Sequence, residues 1–238
     1  MMLKQPYSKK NLGFTLVELA IVIVIIGLLL SAFLVPLSAQ RELSARAETQ
    51  NLLDQSKEAL IGYALVNSFL PCPDTKLIPD GIENRKVDGS CVSDKGVLPW
   101  NTLGIERVDA WSHYFYYRVD PTFSNSVTLF TIADAENASG IQINGDTGAL
   151  VSANSRPAAL LLSFGPNGNG AKNTTQATPA NQLPAPTGAD EKENTDGNLV
   201  FMSHVPAPRG SANEFDDMLV WIPPKILINR MIQAERLP

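Results

Sequence analysis

The sequence predicts an α+β protein, with a long N-terminal helix that packs on a head built around a mostly antiparallel β-sheet. Three observations predict this fold. An apolar run covers residues 14–35, helical spacing of apolar residues continues to about residue 67, and short β-branched and aromatic runs recur over residues 68–238. The 238 residues carry a net charge of −5, and their lysines and arginines form no basic stripe in the sequence. Nucleic-acid binding is therefore not favoured.

The apolar run of residues 14–35 has the length of a transmembrane helix. At about 1.5 Å per residue it would extend roughly 33 Å, close to the ~30 Å of bilayer hydrocarbon. Phe, Ile, Leu and Val make up most of it, and its single charged residue is Glu18, near the start. Lysines precede the run, whereas the arginines after it alternate with glutamates, which predicts a cytoplasmic N-terminus and a periplasmic remainder.

Residues 36–67 are predicted to continue the helix as an amphipathic half. Leu43, Leu53 and Leu60 recur close to helical spacing, with polar residues between them. Asn67-Ser68 and Pro71 predict the end of the helix near residue 67.

Residues 68–238 form the predicted head, which is long enough for one core of its own. A Gly, Asn, Thr, Pro and charge-rich segment, residues 165–198, predicts a flexible surface loop. An amphipathic helix is expected at residues 225–237. The predicted strands are residues 114–119, 127–133, 158–164, 199–205 and 218–222.

The start of the apolar run carries a specific motif. A short basic leader ends at Gly13 and is followed by Phe14-Thr15-Leu16-Val17-Glu18-Leu19. This resembles the N-terminus of type IV pilins and of the pseudopilins of type II secretion, in the pilin-like fold. A secretory signal has a shorter apolar core, and a plain transmembrane anchor explains neither the Gly-Phe junction nor the acid that follows.

The resemblance implies a route of maturation and assembly. A prepilin peptidase would remove residues 1–13 by cutting between Gly13 and Phe14, and the new amine of Phe14 would be methylated. Glu18 would pair with the N-terminal amine of a neighbouring subunit, because an unpaired charge in a filament core is disfavoured. The other implied partners are pilin or pseudopilin subunits, an inner-membrane assembly platform and its ATPase.

These expectations describe a structural subunit, a minor pilin or pseudopilin, rather than an enzyme. It would lie in the bacterial inner membrane with its C-terminus in the periplasm, and then in a pilus or a periplasmic pseudopilus. The alternative is a membrane-tethered periplasmic binding or enzymatic domain outside any filament. Catalysis has little support, because His113 adjoins Ser112 and His204 has no evident partner in the sequence.

Cys72 and Cys91 are the only cysteines. In an oxidising periplasm a pair of cysteines predicts a disulfide. A metal site would need further ligands, and the two histidines are distant in sequence.

A second resemblance concerns the C-terminal third. Ser163-Phe164-Gly165 to Gly168, Asp196 and then Asp216-Asp217 resemble an expanded version of the region around a calcium ion in the major pseudopilin of type II secretion. Calcium ligands at Asp196, Asp216 and Asp217 are therefore implied, and hard oxygen ligands suit this ion. The intervening loop is much longer here. The alternative is that Asp216 only caps or terminates a strand and that Asp190, Glu191, Glu193 and Asp196 are solvated surface acids.

Overall fold

The fold is seen in a computed structural model that describes residues 13–136, 140–151, 156–174 and 182–237, without the side chains of residues 30–38. All but the last residue of the predicted leader lies outside these residues. The chain divides into two compact units, residues 1–44 and 45–238. An α+β architecture with an N-terminal helix and an antiparallel sheet is confirmed.

Helix α1 (Leu16–Asn67) begins in the first unit and ends in the second. The side chains of residues 14–29 are exposed and almost all apolar. The helix ends where the sequence predicts, because Ser68 adopts a left-handed φ of 70° and its N–H bonds the Ala64 carbonyl oxygen at 2.8 Å. No helix among the described residues combines the length and the apolar character needed to cross a membrane.

The head contains short helices and strands after residue 67. In chain order the elements are β1 (Lys95–Val97), α2 (Trp100–Leu103), β2 (Tyr116–Val119), α3 (Pro121–Ser124), a 3₁₀ turn (Ile132–Glu136), β3 (Gln142–Asn144), β4 (Ala159–Ser163), α4 (Ala189–Thr195), β5 (Val200–Met202), β6 (Met218–Ile222) and α5 (Pro224–Gln233). A four-stranded antiparallel sheet has the order β1-β2-β4-β6, and β3 pairs with β5 in parallel.

Strand β4 lies inside the sheet and is buried on both faces. Its Ala159 and Leu161 belong to a core cluster that also contains residues of α1 and α5, whereas Leu160 and Leu162 belong to a second cluster with residues of β3 and β5. Because side chains of a strand alternate between faces, a strand covered on both sides is apolar at successive positions. The continuous apolar run of β4 follows from this position.

Four of the five predicted strand regions contain a strand, and the region 127–133 is wrong. The Asn125 side chain accepts hydrogen bonds from the N–H groups of Val127 and Thr128, both at 2.8 Å, which forms a local turn. The 3₁₀ turn then begins at Ile132. The sequence indicated a strand here from its β-branched residues. The Asn125 side chain instead bonds the backbone N–H groups of Val127 and Thr128, which a strand would have used for pairing.

Two further expectations concern the C-terminal helix and the loop of residues 165–198. The C-terminal helix α5 begins one residue before the predicted region and ends at Gln233, four residues before the predicted end, and it buries Leu227 and Met231. In the predicted loop of residues 165–198 the structure differs by containing α4, whose Glu191 and Asn194 are buried.

The predicted disulfide is confirmed. Cys72 and Cys91 are bonded, with their Cα atoms 5.3 Å apart. Within this closed segment the buried Asp74 carboxylate accepts hydrogen bonds from the backbone N–H groups of Lys76, Asp80 and Gly81. The segment is therefore shaped by a covalent link and by a buried carboxylate.

Candidate functional site

The residues around the predicted processing junction form the start of α1. Gly13 and Phe14 are both exposed, and Phe14 keeps 84% of its surface accessible. The peptide that links them stands just outside the first helical turn. The sequence-derived roles of these two residues stay predictions.

Thr15 and Glu18 cap the helix start reciprocally. The Thr15 N–H and Oγ1 both donate to Glu18 Oε2 at 2.9 Å, and the Glu18 N–H donates to Thr15 Oγ1 at 3.2 Å. This is a capping box, in which two residues satisfy N–H groups that the helix itself leaves unbonded. Glu18 is exposed, and through these hydrogen bonds it caps its own helix in the single chain.

A second group of carboxylates is buried in the head. Glu191 lies in the first turn of α4, and Asp216 and Asp217 come directly before β6. One oxygen from each lies within 4.8 Å of the others. The side chains of all three are at least nine-tenths buried.

In this carboxylate cluster, Glu191, Asp216 and Asp217, every side chain has one bonded and one unbonded oxygen. Asn167 Nδ2 donates to Glu191 Oε1 at 3.0 Å, and Asn194 Nδ2 donates to Asp217 Oδ2 at 2.7 Å. The backbone N–H of Asn167 donates to Asp216 Oδ2 at 3.2 Å. Among the described residues, Glu191 Oε2, Asp216 Oδ1 and Asp217 Oδ1 have no hydrogen-bond partner.

Burial changes the acidity of the carboxylate cluster. Desolvation, followed by the charge of Glu191, raises the pKa of Asp216 from 3.8 to about 7. Desolvation also raises the pKa of Asp217 well above its ordinary value and raises that of Glu191. Three negative charges at this spacing are therefore unfavourable without a proton or a cation.

Two glycines permit the close approach of the backbone to the cluster. Gly165 has a φ of +59°, and a Cβ there would lie 2.3 Å from Asp216 Oδ1. At Gly188, directly before α4, a Cβ would lie 2.2 Å from the Glu214 carbonyl oxygen. Side chains at either position would displace the backbone next to the cluster.

Cations of the sheet hold the end of α4 in place. Lys95 Nζ of β1 and Arg118 Nη1 of β2 donate to the Gly197 carbonyl oxygen at 2.9 and 3.0 Å. Arg118 Nη2 also pairs with Asp94 Oδ2 at 2.7 Å. These bonds to the segment after α4 fix the helix that carries Glu191.

The set of acids differs from the predicted one at one position. Asp216 and Asp217 lie together, but Asp196 is exposed and its Oδ1 accepts from the Asn198 N–H at 2.8 Å. Glu191 lies in the cluster instead. Sequence reasoning treated Glu191 as a surface acid, and only the position of α4 against the segment before β6 distinguishes it from its charged neighbours.

The oxygens of the cluster suit a hard cation. Three carboxylates, each with one unbonded oxygen, supply ligand atoms of the type that calcium prefers, and amide or carbonyl oxygens and water would have to complete its six to eight ligands. The residues therefore fit a divalent cation in donor type. Their agreement with the predicted calcium ligands is limited to Asp216 and Asp217.

The two histidines have ordinary surroundings. His113 Nδ1 lies 3.6 Å from Asp109 Oδ2, the same oxygen to which Ser163 Oγ donates at 2.7 Å. Ser163 and His113 thus meet one carboxylate oxygen and do not form a serine-to-histidine relay. His204 Nε2 lies 3.0 Å from Asp190 Oδ2, a partner that its sequence neighbours did not indicate.

Comparison with known proteins identifies the N-terminal segment. Residues 8–34 match the family model of the prokaryotic N-terminal methylation motif, which is the signature of type IV pilins and pseudopilins. No curated protein and no solved structure matches the chain. The family match ends before the head.

Proposed function

We propose that this chain is a structural subunit, a minor pilin or pseudopilin, of a type IV pilus or of a type II secretion filament. The observation that carries the proposal is the methylation motif at residues 8–34, with its Gly13-Phe14 junction and Glu18. The motif favours a structural role over an enzymatic one. The size of the head and its long segment 165–198 support a minor subunit or pseudopilin over a bulk fibre subunit.

Maturation begins with prepilin peptidase, which cuts between Gly13 and Phe14 on the cytoplasmic side, and the new Phe14 amine is methylated. Residues 14–35 then anchor the protein in the inner membrane with the head in the periplasm. Support comes from the exposed apolar side chains of residues 14–29, because so large an exposed apolar surface needs lipid or another protein to cover it.

Assembly moves the N-terminal helix from lipid into a filament core. Both environments are apolar, so the transfer depends on packing and on specific polar contacts more than on the hydrophobic effect. Glu18 provides such a contact by accepting the N-terminal amine of a neighbouring subunit. Its bonds to Thr15 keep the carboxylate next to the N-terminus and can be exchanged for the amine.

The head carries a divalent cation in this proposal, with calcium as the favoured ion. Glu191, Asp216 and Asp217 would hold it through their unbonded oxygens. The ion would neutralise the buried charges and tie α4 to the start of β6. This part rests on the chemistry of the cluster and is independent of filament assembly.

N-terminal mass spectrometry of sheared filaments and of the cell envelope, both from the native host, tests the proposal. A peptide that begins with methylated Phe14 in the sheared fraction is the expected result for a pilin, and the same peptide confined to the envelope with cross-links to pseudopilins is expected for a pseudopilin. Unprocessed protein, or processed protein that never cross-links to a filament subunit, would contradict the proposal and indicate a tethered domain.

A further inference from the structure

A cavity of about 470 Å³ is lined by residues of β1, of β2 and of the end of α4, and none of the three acids of the carboxylate cluster lines it. Tyr114, Tyr116 and Phe164 line it together with Leu183 and Lys172. Its volume is in the range of small-molecule sites in proteins. Neither the N-terminal motif nor the carboxylate cluster accounts for this cavity.

Tyr114, Tyr116 and Phe164 form an aromatic wall of the cavity. The two tyrosines share this side because side chains alternate between the two faces along β2 and the residues before it. Phe115 and Tyr117 belong to the core cluster with α1, so Tyr114 and Tyr116 fall on the opposite side. Trp100 stacks on Tyr114 with ring centres 5.1 Å apart, and Phe164 meets Tyr116 edge-on at 6.2 Å. These contacts hold the wall rigid.

Lys172 is a cation at the cavity without a direct bonded partner among the described residues. Lys172 is half-buried, and its ammonium group forms no ion pair or hydrogen bond with any residue that the structure describes. Asp74 acts on it electrostatically, but the Asp74 carboxylate is already bonded to three backbone N–H groups. Desolvation lowers the pKa of Lys172, which marks an ammonium group that would gain from a counter-ion.

Lys95, the other lysine at the cavity, differs in this respect. Its ammonium group donates to the Gly197 carbonyl oxygen at 2.9 Å and so is engaged in holding the segment after α4. Lys172 is therefore the group available to an incoming anion. Flat aromatic walls next to one such cation favour a ligand with a ring and one acidic group.

We propose that this cavity binds a small organic anion, a carboxylate on a flat ring, with the carboxylate against Lys172 and the ring against Tyr114, Tyr116 and Phe164. The ring packs on the part of the aromatic wall that faces the cavity, and the carboxylate gives Lys172 the direct ion pair that it does not form with any described residue. The site is independent of filament assembly, so it holds whether or not the chain enters a filament.

The probe is 4-fluorobenzoate, observed by fluorine NMR with the full chain in lipid nanodiscs. The neutral isostere 4-fluorobenzamide serves as the ligand control and empty nanodiscs as the background. We expect saturable broadening with a dissociation constant on the order of 1 mM for the benzoate, and at least about tenfold weaker binding of the benzamide. This comparison needs no variant and so cannot fail through misfolding.

Variants identify the cation. Lys172→Met should weaken 4-fluorobenzoate binding about tenfold and leave the benzamide unchanged, whereas Lys86→Met, at an exposed lysine outside the cavity, should change neither. Equal binding of the two probes to the unmodified chain, an unchanged affinity of folded Lys172→Met for the benzoate, or no saturable binding at tens of millimolar would each overturn the proposal.

Discussion

The N-terminal unit and the head use carboxylates in opposite ways. Glu18 is exposed in the first turn of α1, and its hydrogen bonds come from Thr15, three residues away. In the head, Glu191 comes from α4 and Asp216 and Asp217 from the residues before β6. All three are buried, and each has an oxygen without a partner among the described residues.

This contrast separates two kinds of interaction. An exposed carboxylate in a helix turn can change partner at little cost, because water solvates it during the exchange. A buried carboxylate that hydrogen bonds satisfy only in part stays charged if a cation compensates it, and otherwise favours the protonated form. This difference is consistent with the proposed contact of Glu18 with another subunit and with the proposed cation at the carboxylate cluster.

The largest expected effect concerns Glu18. Glu18→Ala should still insert and be processed, but its amount in sheared filaments or cross-linked pseudopilus should fall at least about tenfold, because a desolvated N-terminal amine loses its partner. Quantitative immunoblotting of the fractions measures this. Glu48→Ala, at an exposed glutamate of the same helix, is the matched control and should assemble normally.

Normal incorporation of Glu18→Ala would contradict the proposed contact with another subunit, since Glu18 would then act only within its own helix turn. The melting temperature of the head should be the same in both variants. A lowered melting temperature in Glu18→Ala would show that the loss of assembly is indirect.

The next effect concerns pH and the carboxylate cluster. The native state keeps protons on Asp216 and Asp217 that the unfolded chain releases near pH 4, so without calcium the free energy of unfolding should fall as pH rises from about 4 to about 7. A decrease on the order of 2–4 kcal/mol is expected. Denaturant titrations of the full chain with a chelator, followed by tryptophan fluorescence, measure it.

Calcium should reverse that decrease. At a concentration one hundred times its dissociation constant, an ion that binds only the native state adds about 2.7 kcal/mol near pH 7. Asp217→Asn should abolish this gain, and Asp196→Asn, at the exposed aspartate outside the cluster, should retain it. A calcium response that survives in Asp217→Asn would place the ion elsewhere.

The disulfide gives a smaller effect that is confined to the head. Cys72→Ser together with Cys91→Ser should lower the free energy of unfolding by about 3 kcal/mol, through the greater freedom of the unfolded chain. Processing at Gly13 should be unaffected, because that junction lies outside the head. Unchanged stability under denaturant titration would show that Asp74 and the core suffice to shape this segment.

The smallest effect concerns Thr15. Thr15→Ala removes the side-chain half of the capping box, so amide exchange in the first turn of α1 should become about fivefold faster. Hydrogen–deuterium exchange of the full chain in nanodiscs measures this. Thr15→Ser keeps the hydroxyl group and should restore protection; unchanged exchange in Thr15→Ala would show that the cap does not stabilise this turn.

Prediction from the sequence succeeded where the pattern was long or local. The end of α1 near residue 67, the Cys72–Cys91 disulfide and β4 all agree with the structure. It failed at residues 127–133, where hydrogen bonds of the Asn125 side chain replace strand pairing. Short strands such as β1 and β3 carry too few residues to show a period and were missed.

The sequence by itself determined the N-terminal unit, because its motif joins residues that are neighbours in the chain and its helix needs only local hydrogen bonds. Tertiary structure alone decided which acids meet in the head. Glu191 and Asp216 are 25 residues apart in a region with several other acids, and Asp196, which the sequence predicted as a ligand, lies outside the cluster. The same holds for Lys172 and its cavity, since the burial of the lysine and the residues that line the cavity depend on the packing of distant segments.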